Sequence, residues 1–364
     1  MRLNKSAKNL IPAKAIESSK SLEYCTKWFK KNNHIENIYF TKSCTQSLEL
    51  SLLLLDLPAN SEVIIPSYAF VSLGNAVNNL GIKCVYVDCE GSTMNIDVNQ
   101  IEQAITENTK ALITINYGGI SCDYDKIRKI CRNNNLILIE DNAHGILGKY
   151  KDEFLGTIGD ISCFSFDHLK NFSCFQGGAI AINNKSLLKK FFIAYEFGTN
   201  RRDLFEGVVD HYEWQGKGTN SIIAPPLLTI LKGQLDNFKH IISLYNNIWR
   251  QYQTGLAKLA EKKHISLVQI PDYCTHNAHM FWIKTKSKAE RTKLIAHLAN
   301  NNINSASHYS PLHTSRYGKT VGNFKGGNNN TSIESEKILR LPMHLKLTSE
   351  NIKSIIGCVE DFYS

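Results

Sequence analysis

Between residues 36 and 185 the chain alternates short runs rich in Val, Ile, Phe and Tyr with segments whose apolar positions recur at helical spacing. The strand-like runs are NIYFT (37–41), EVIIPSYAF (62–70), KCVYVDC (83–89), ALITINY (111–117), LILIEDN (136–142), ISCFSF (161–166) and GAIAIN (178–183). Helical patterns occupy 45–57, 71–80, 98–106 and 124–133. Strand and helix in alternation predict an α/β fold with a mostly parallel seven-stranded sheet flanked by helices. After residue 184 the texture becomes helical, in SLLKKFFIAYEF and in a long stretch at 227–259, followed by a shorter mixed region. This predicts a large domain over 1–235 and a smaller C-terminal α/β domain over 236–364. The Gly/Asn-rich GNFKGGNNNTS, 322–332, reads as a mobile loop within the second domain.

Length and composition narrow the classes. A chain of 364 residues with 43% hydrophobic content can bury a large core. The net charge of +9 is spread over scattered basic residues and short pairs such as Lys30-Lys31, Lys189-Lys190 and Arg201-Arg202. That distribution suits a small anionic ligand or a solvated face and argues against a nucleic-acid track. No apolar run reaches the roughly 20 residues of a membrane helix, and Leu48 to Leu57 is broken by Glu49, Ser51 and Asp56. The opening MRLNKSAKNLIPAK is basic but has no apolar core, so no export signal is expected. Ten cysteines without a C-x-x-C pair read as reduced, buried thiols of a cytoplasmic protein. Cys274, His276 and His279 in YCTHNAHMFWI have metal-binding side chains, but they crowd one extended stretch; a polar strand entrance is expected there and no metal.

In open parallel sheets ligands collect at the carboxyl ends of strands. After the first strand, TKSCTQSLEL places Ser43, Cys44 and Thr45 at a helix start, where free amides and hydroxyls suit a phosphate; a plain Ser/Thr cap is the alternative. At the end of the fifth strand Glu140-Asp141 follows four apolar residues, with His144 three positions on. A carboxylate between apolar walls stays ionised only beside a cation, and a protonated heterocyclic nitrogen would serve. His144 could lie across such a ring or be satisfied within its loop. Beyond the next strand Ser165 precedes Lys170 by five residues. A lysine in a dry site has a lowered pKa and can condense with an aldehyde; otherwise Lys170 is a solvated loop residue. An anion cradle, a carboxylate for a ring nitrogen and an imine-forming amine on one sheet edge are what pyridoxal 5'-phosphate requires.

The chain resembles the DegT/DnrJ/EryC1/StrS sugar aminotransferases, a branch of the fold-type-I pyridoxal-phosphate enzymes. The likeness runs from about residue 36 to the C-terminus through SCTQSLELSLLLLDLPANSEVIIPSYAFVS, TMNIDVNQIEQAIT, IEDNAHG, GTIGDISCFSFDHLKN, GGAIAIN, GTNRRDLFEG, NAHMFWIK and HYSPLH. The resemblance implies that Lys170 binds the cofactor aldehyde and shuttles the proton, and that Asp141 partners the ring nitrogen. It places His144 on one ring face and Phe70 on the other, and gives the phosphate to Ser43, Cys44, Thr45 and Ser165. A neighbouring subunit would add Asn220 to that phosphate, so a homodimer with shared active sites is implied. Arg201, His308, Tyr309 and His313 would line the substrate entrance. The implied reaction moves an amino group from L-glutamate to a nucleotide-linked keto sugar, nearest to a dTDP-4-keto-6-deoxyhexose, to make an amino sugar for cell-surface polysaccharide or glycan.

The chain departs from the family pattern where Asp167 replaces a usual His, Gln176 a usual acidic residue and Pro225 a usual Asp, and in a short N-terminal segment without a Gly-rich turn. Two alternatives stay open: a non-catalytic homologue, and a pyridoxal-phosphate enzyme with another sugar or another reaction. Sugar dehydratases of the family carry His at the lysine position, which Lys170 disfavours.

Overall fold

The computed structural model describes residues 13–327 and 329–364; the basic opening segment through residue 12, and Asn328 within the Gly/Asn-rich stretch, lie outside the described residues. The elements in chain order begin α1 (Ala13–Asn33), β1 (Ile38–Thr41), α2 (Cys44–Leu53), β2 (Glu62–Pro66), α3 (Val71–Asn78), β3 (Lys83–Val87), β4 (Thr109–Ile115), α4 (Tyr124–Asn133) and β5 (Ile137–Asp141). A small hairpin β6 (Lys149–Tyr150) and β7 (Glu153–Phe154) precedes β8 (Ile161–Ser165), β9 (Gly178–Ile182), α5 (Leu188–Tyr195), α6 (Arg201–Glu206), α7 (Pro225–Asp236), α8 (Phe238–Gly255) and α9 (Ala257–Glu261). The remainder holds β10 (Ser266–Leu267), β11 (Cys274–Thr275), β12 (Phe281–Lys284), α10 (Lys288–Asn300), α11 (Gly318–Val321), β13 (Gly322–Lys325), α12 (Asn330–Ser335), β14 (Ile338–Leu341) and α13 (Ser349–Phe362).

All seven expected strands occur in one sheet, in the order β1-β9-β8-β5-β4-β2-β3-β13. Only β9 runs against its neighbours, pairing antiparallel with β1 and β8. Strands β2, β8 and β9 are buried along their whole length, as the unbroken apolar runs require of a sheet covered on both faces. A second, antiparallel sheet β10-β12-β14 forms in the C-terminal part.

The structure corrects three expectations. The sheet has eight strands, and the eighth, β13, comes from the stretch read as a mobile loop; it pairs parallel with β3. The partners that order this stretch are distant in sequence. The Phe324 ring stacks on His313 at 3.9 Å, and the Asp88 carboxylate accepts the amides of Asn330 and Thr331 at the start of α12. Gly and Asn content is blind to such contacts. The 98–106 helix is instead two short 3-10 turns, Val98–Gln100 and Glu102–Ala104, the first capped by Asp97, which accepts the amide of Asn99 at 3.0 Å. The 227–259 stretch is three helices, with Asn237 between α7 and α8, and α7 opens on Pro225, whose missing N–H costs nothing in the first turn.

α1, which the strand pattern did not anticipate, lies along α7. Cys25, Trp28 and Phe29 on its inward face are buried, as are Leu228, Leu231 and Leu235 opposite. Phe29 carries this packing to the sheet through rings of Phe40, Phe164 and Phe166, with centroids 6.1, 5.7 and 6.0 Å away. Phe164 and Phe166 frame Ser165 in the chain, so this cluster supports the strand end that bears the site. Phe29→Ala should lower unfolding free energy by about 3–5 kcal/mol in denaturant titrations; a loss below about 1 kcal/mol would contradict this packing role.

Candidate active site

The site assembles at the carboxyl ends of β1, β8, β5, β4 and β2. Leaving β1, Ser43 caps α2, its Oγ accepting the Gln46 amide at 3.1 Å. The amides of Cys44 and Thr45 precede the first intrahelical bond and are free to face an anion. Gly178 of β9 pairs with Thr41 on one side and Ser165 on the other. A Cβ at Gly178 would lie 2.3 Å from the Ser43 carbonyl carbon and 2.5 Å from the Cys44 nitrogen, so only glycine lets this strand pass under the helix start. Ser165, buried at the end of β8, pairs with Gly178 on the strand that passes under the helix start.

Strand alternation separates the two adjacent carboxylates. Glu140 is fully buried and accepts the amides of Gly156, Ile158 and Gly159 at 2.9, 2.9 and 2.8 Å and the Ser162 hydroxyl at 2.8 Å, so it holds the loop after β7 in place. Asp141 faces the site. It accepts the Ala143 amide at 3.1 Å and the Cys44 thiol at 3.8 Å. Burial pushes its pKa up; the Ala143 amide, the Lys170 charge and the Cys44 thiol pull it back.

Lys170 is half-buried, and burial holds its ammonium below the ordinary lysine range, offset by Cys44, Asp141 and Asp167 and reinforced by the Arg340 charge. Its neighbour Asn171 anchors the loop. Asn171 Oδ1 meets His279 Nδ1 at 2.8 Å, and Asn171 donates to the Asn277 carbonyl at 3.0 Å. Asn277 in turn donates to the carbonyls of His144 and Ile146 at 2.7 and 2.8 Å, while His144 and His279 stack at 4.3 Å. This closed set of contacts fixes the lysine loop to the loop that follows Asp141. Burial, then the Lys170 charge, keeps both imidazoles well below their usual pKa, hence neutral.

An aromatic wall stands across from these groups. Tyr309 packs against Tyr68, Phe70, Tyr117 and, stacked at 4.3 Å, His308. His308 contacts the Arg340 guanidinium, and burial, Arg340 and Lys170 lower its pKa to about 3. A cavity of about 800 Å³ lined by Leu169, His308, Arg340, Met343 and His344 opens beside them.

Of the residues named from sequence, Ser43, Cys44, Thr45, Asp141, His144, Ser165 and Lys170 share this edge, and Phe70, His308 and Tyr309 form the wall. The other three stand apart in their contacts. His313 binds Ser67 Oγ at 2.5 Å and Ser332 Oγ at 3.3 Å beside β13; Arg201 lies over Phe205; Asn220 is exposed. Cys274, His276 and His279 diverge: the Cys274 sulfur accepts the Ser121 amide, His276 packs on Trp249, and His279 stacks on His144. Sequence reasoning missed Asn171, Asn277, Tyr68, Tyr117 and Arg340. The signal for Arg340 was a lone charge in the apolar run ILRLPM.

This sheet, with a lysine and a buried carboxylate at its carboxyl edge, is that of the fold-type-I pyridoxal-phosphate aminotransferases. The chain belongs to the DegT/DnrJ/EryC1/StrS aminotransferase family, whose model matches residues 6–360. It is 32% identical over 336 residues to an uncharacterised protein of Methanocaldococcus jannaschii, covering 88% of this chain and 84% of that one. It is 28% identical to the GDP-perosamine synthase of Escherichia coli O157:H7, covering 92% and 88%. A sugar aminotransferase structure from Streptococcus pneumoniae in its PLP form superposes with a TM-score of 0.82 at 23% identity, covering 97% of each chain. The chain is a pyridoxal-phosphate-dependent sugar aminotransferase. The donor set fits that cofactor: an amide cradle with two buried or capping serines for the phosphate, a buried carboxylate for the ring nitrogen, and an amine of lowered pKa.

Two measurements test this geometry. Glu140→Gln should cost about 1–3 kcal/mol of stability by placing an amide donor against amide donors, whereas an unchanged denaturation midpoint would deny the loop-holding role. Because burial holds Lys170 below the ordinary lysine range, its neutral, reactive fraction grows as pH rises through a lowered midpoint. The rate of cofactor loading should rise through that midpoint, and a midpoint at or above the ordinary lysine range would contradict the desolvation.

Proposed function

We propose that the protein transfers an amino group from L-glutamate to a nucleotide-linked keto-deoxysugar, nearest to a dTDP-4-keto-6-deoxyhexose, yielding an amino sugar for a cell-surface polysaccharide or glycan. The observation that carries this reading is the buried Asp141 and the half-buried Lys170 at one sheet edge, each driven toward its neutral form, next to the α2 amides. The bound cofactor supplies an electron-accepting ring. Asp141 would keep the ring nitrogen protonated, and Lys170 would hold the aldehyde group and serve as the proton carrier at the substrate carbon. Ser43, Cys44, Thr45 and Ser165 bind the phosphate. His279 covers one face of His144, so the other imidazole face would be the one to meet the ring, and Phe70 would close the opposite side. His308 and Tyr309, with Arg201 and His313 farther out, line the sugar entrance. The division near residue 236 then separates a cofactor-holding part from a part that supplies His308 and Tyr309.

The reading includes a homodimer in which Asn220 reaches the partner's phosphate. Support comes from apolar side chains exposed in the single chain around that segment: Phe205 at 69%, Val208 at 70% and Trp214 at 80%. Such a patch is what a subunit contact covers. No described helix is long and apolar enough to cross a membrane, and a cytoplasmic location completes the reading.

The deciding assay incubates the loaded enzyme with L-glutamate and a panel of dTDP-, UDP- and GDP-linked 3-keto and 4-keto sugars, with products identified by mass. A gained amine on the dTDP-linked 4-keto-6-deoxyhexose, abolished in Lys170→Ala, is the expected result. Loss of water in place of amination, or amination of another sugar, would overturn the substrate assignment.

A further inference from the structure

Cys44 is the first residue of α2, directly after the Ser43 cap, whose Oγ is engaged by the Gln46 amide. The anion cradle uses the Cys44 amide. The thiol reaches a different group: it donates to Asp141 Oδ1 at 3.8 Å. The Ala143 amide donates to the same oxygen at 3.1 Å. Both protein donors therefore hold Oδ1, and among the described residues no hydrogen bond reaches Oδ2. Asp141 is only 8% exposed. A carboxylate so enclosed, with two donors on one oxygen, is fixed about its last bond, and Oδ2 is the oxygen it offers to a ligand.

A neutral donor suits this place. A second cation would compete with a ring nitrogen for the carboxylate, whereas a thiol turns the carboxylate without discharging it. Burial, then the Asp141 charge, pushes the Cys44 thiol well above its ordinary pKa, so it keeps its proton and remains a donor. The other titratable groups around Asp141 are Cys163 on β8, Lys170 beyond it and Tyr309 on the wall. Burial raises Cys163 and Tyr309 as well, which leaves Lys170 as the neighbour that titrates alongside Asp141.

We propose that Cys44 is a positioning residue of the reaction: its thiol, together with the Ala143 amide, holds Asp141 Oδ1 so that Oδ2 faces the ring nitrogen of the cofactor, while its own amide stays in the phosphate cradle. One residue at the start of α2 thereby sets the two ends of the cofactor in register. An apolar side chain of similar size would fill the same space and leave Oδ1 one donor short. This assignment rests on the reading above, in which Asp141 partners the ring nitrogen, and adds the group that aims it.

The test titrates the cofactor-free protein with pyridoxal 5'-phosphate and follows its absorbance from about pH 5.5 to 8.5, for wild type, Cys44→Ala, Cys44→Ser and Cys44→Val. Cys44→Ala should weaken binding about fivefold at neutral pH, the effect of one lost hydrogen bond. Removing a donor from the ionised form raises the Asp141 pKa further, so the variant loses its carboxylate at a higher pH than wild type, and the gap between the two should widen as pH falls. Lys170 and the cofactor phosphate titrate in both proteins and cancel in the ratio. Cys44→Ser keeps a donor and should bind within about twofold of wild type. Cys44→Val fills the space without a donor and should follow Cys44→Ala; the serine and valine variants decide the matter should Cys44→Ala fail to fold. Equal affinity and equal pH dependence in all four proteins overturns the assignment. Valine matching wild type while serine does not makes the residue a space filler and overturns it too. A loss in Cys44→Ala that is constant across pH moves the defect to the phosphate amides and also overturns it. A wild type whose added cofactor shows no absorbance change overturns the underlying reading of Lys170 and Asp141, which separates the two failures.

Discussion

The site depends on one electrostatic constraint: a buried carboxylate and a half-buried amine are placed where neither charge is fully solvated. Asp141 ends a buried strand and Lys170 sits on the loop beyond the next one, and burial drives the first up in pKa and the second down. Their mutual attraction and the Cys44 thiol offset only part of that cost. Under the proposed function, Asp141 would hold the cationic ring nitrogen of the cofactor and Lys170 its aldehyde, which would relieve both costs at once. On that proposal, cofactor binding and readiness for proton transfer would have the same physical origin.

Keeping that constraint requires rigid support, and the surrounding structure supplies it from three directions. The antiparallel β9 brings Gly178 under the α2 start and sets the anion cradle against Ser165. Glu140, one residue from Asp141 and on the other face of β5, takes four donors and braces the loop after β7. The Asn171, His279, Asn277 and His144 contacts tie the lysine loop to the loop after β5. Two neutral imidazoles in the middle of this set add hydrogen-bonding capacity and a flat stacking face without adding charge beside Lys170.

Much of this was legible from residue order. The seven apolar runs each became a strand because parallel strands buried on both faces carry an unbroken apolar signature. Asp141, Ser43 and Ser165 could be placed because polar residues directly after such runs must lie at strand ends. What escaped was set by partners distant in sequence. Asn171 looked like a loop residue, and its role appears only across the 108 positions that separate it from His279. The Gly/Asn-rich stretch hid β13 and α12 because Asp88 and His313 order it from elsewhere in the chain. Arg340 stood in an apolar strand, and its contact with His308, 32 positions away, appears only in the folded chain.

The most direct test of the central claim is to load the protein with pyridoxal phosphate, reduce it with borohydride, digest it and locate the added mass by peptide mapping. The account predicts the pyridoxyl group on Lys170. Mass on a different lysine, or on none, would contradict the claim that the buried amine beside Asp141 is the group that holds the cofactor.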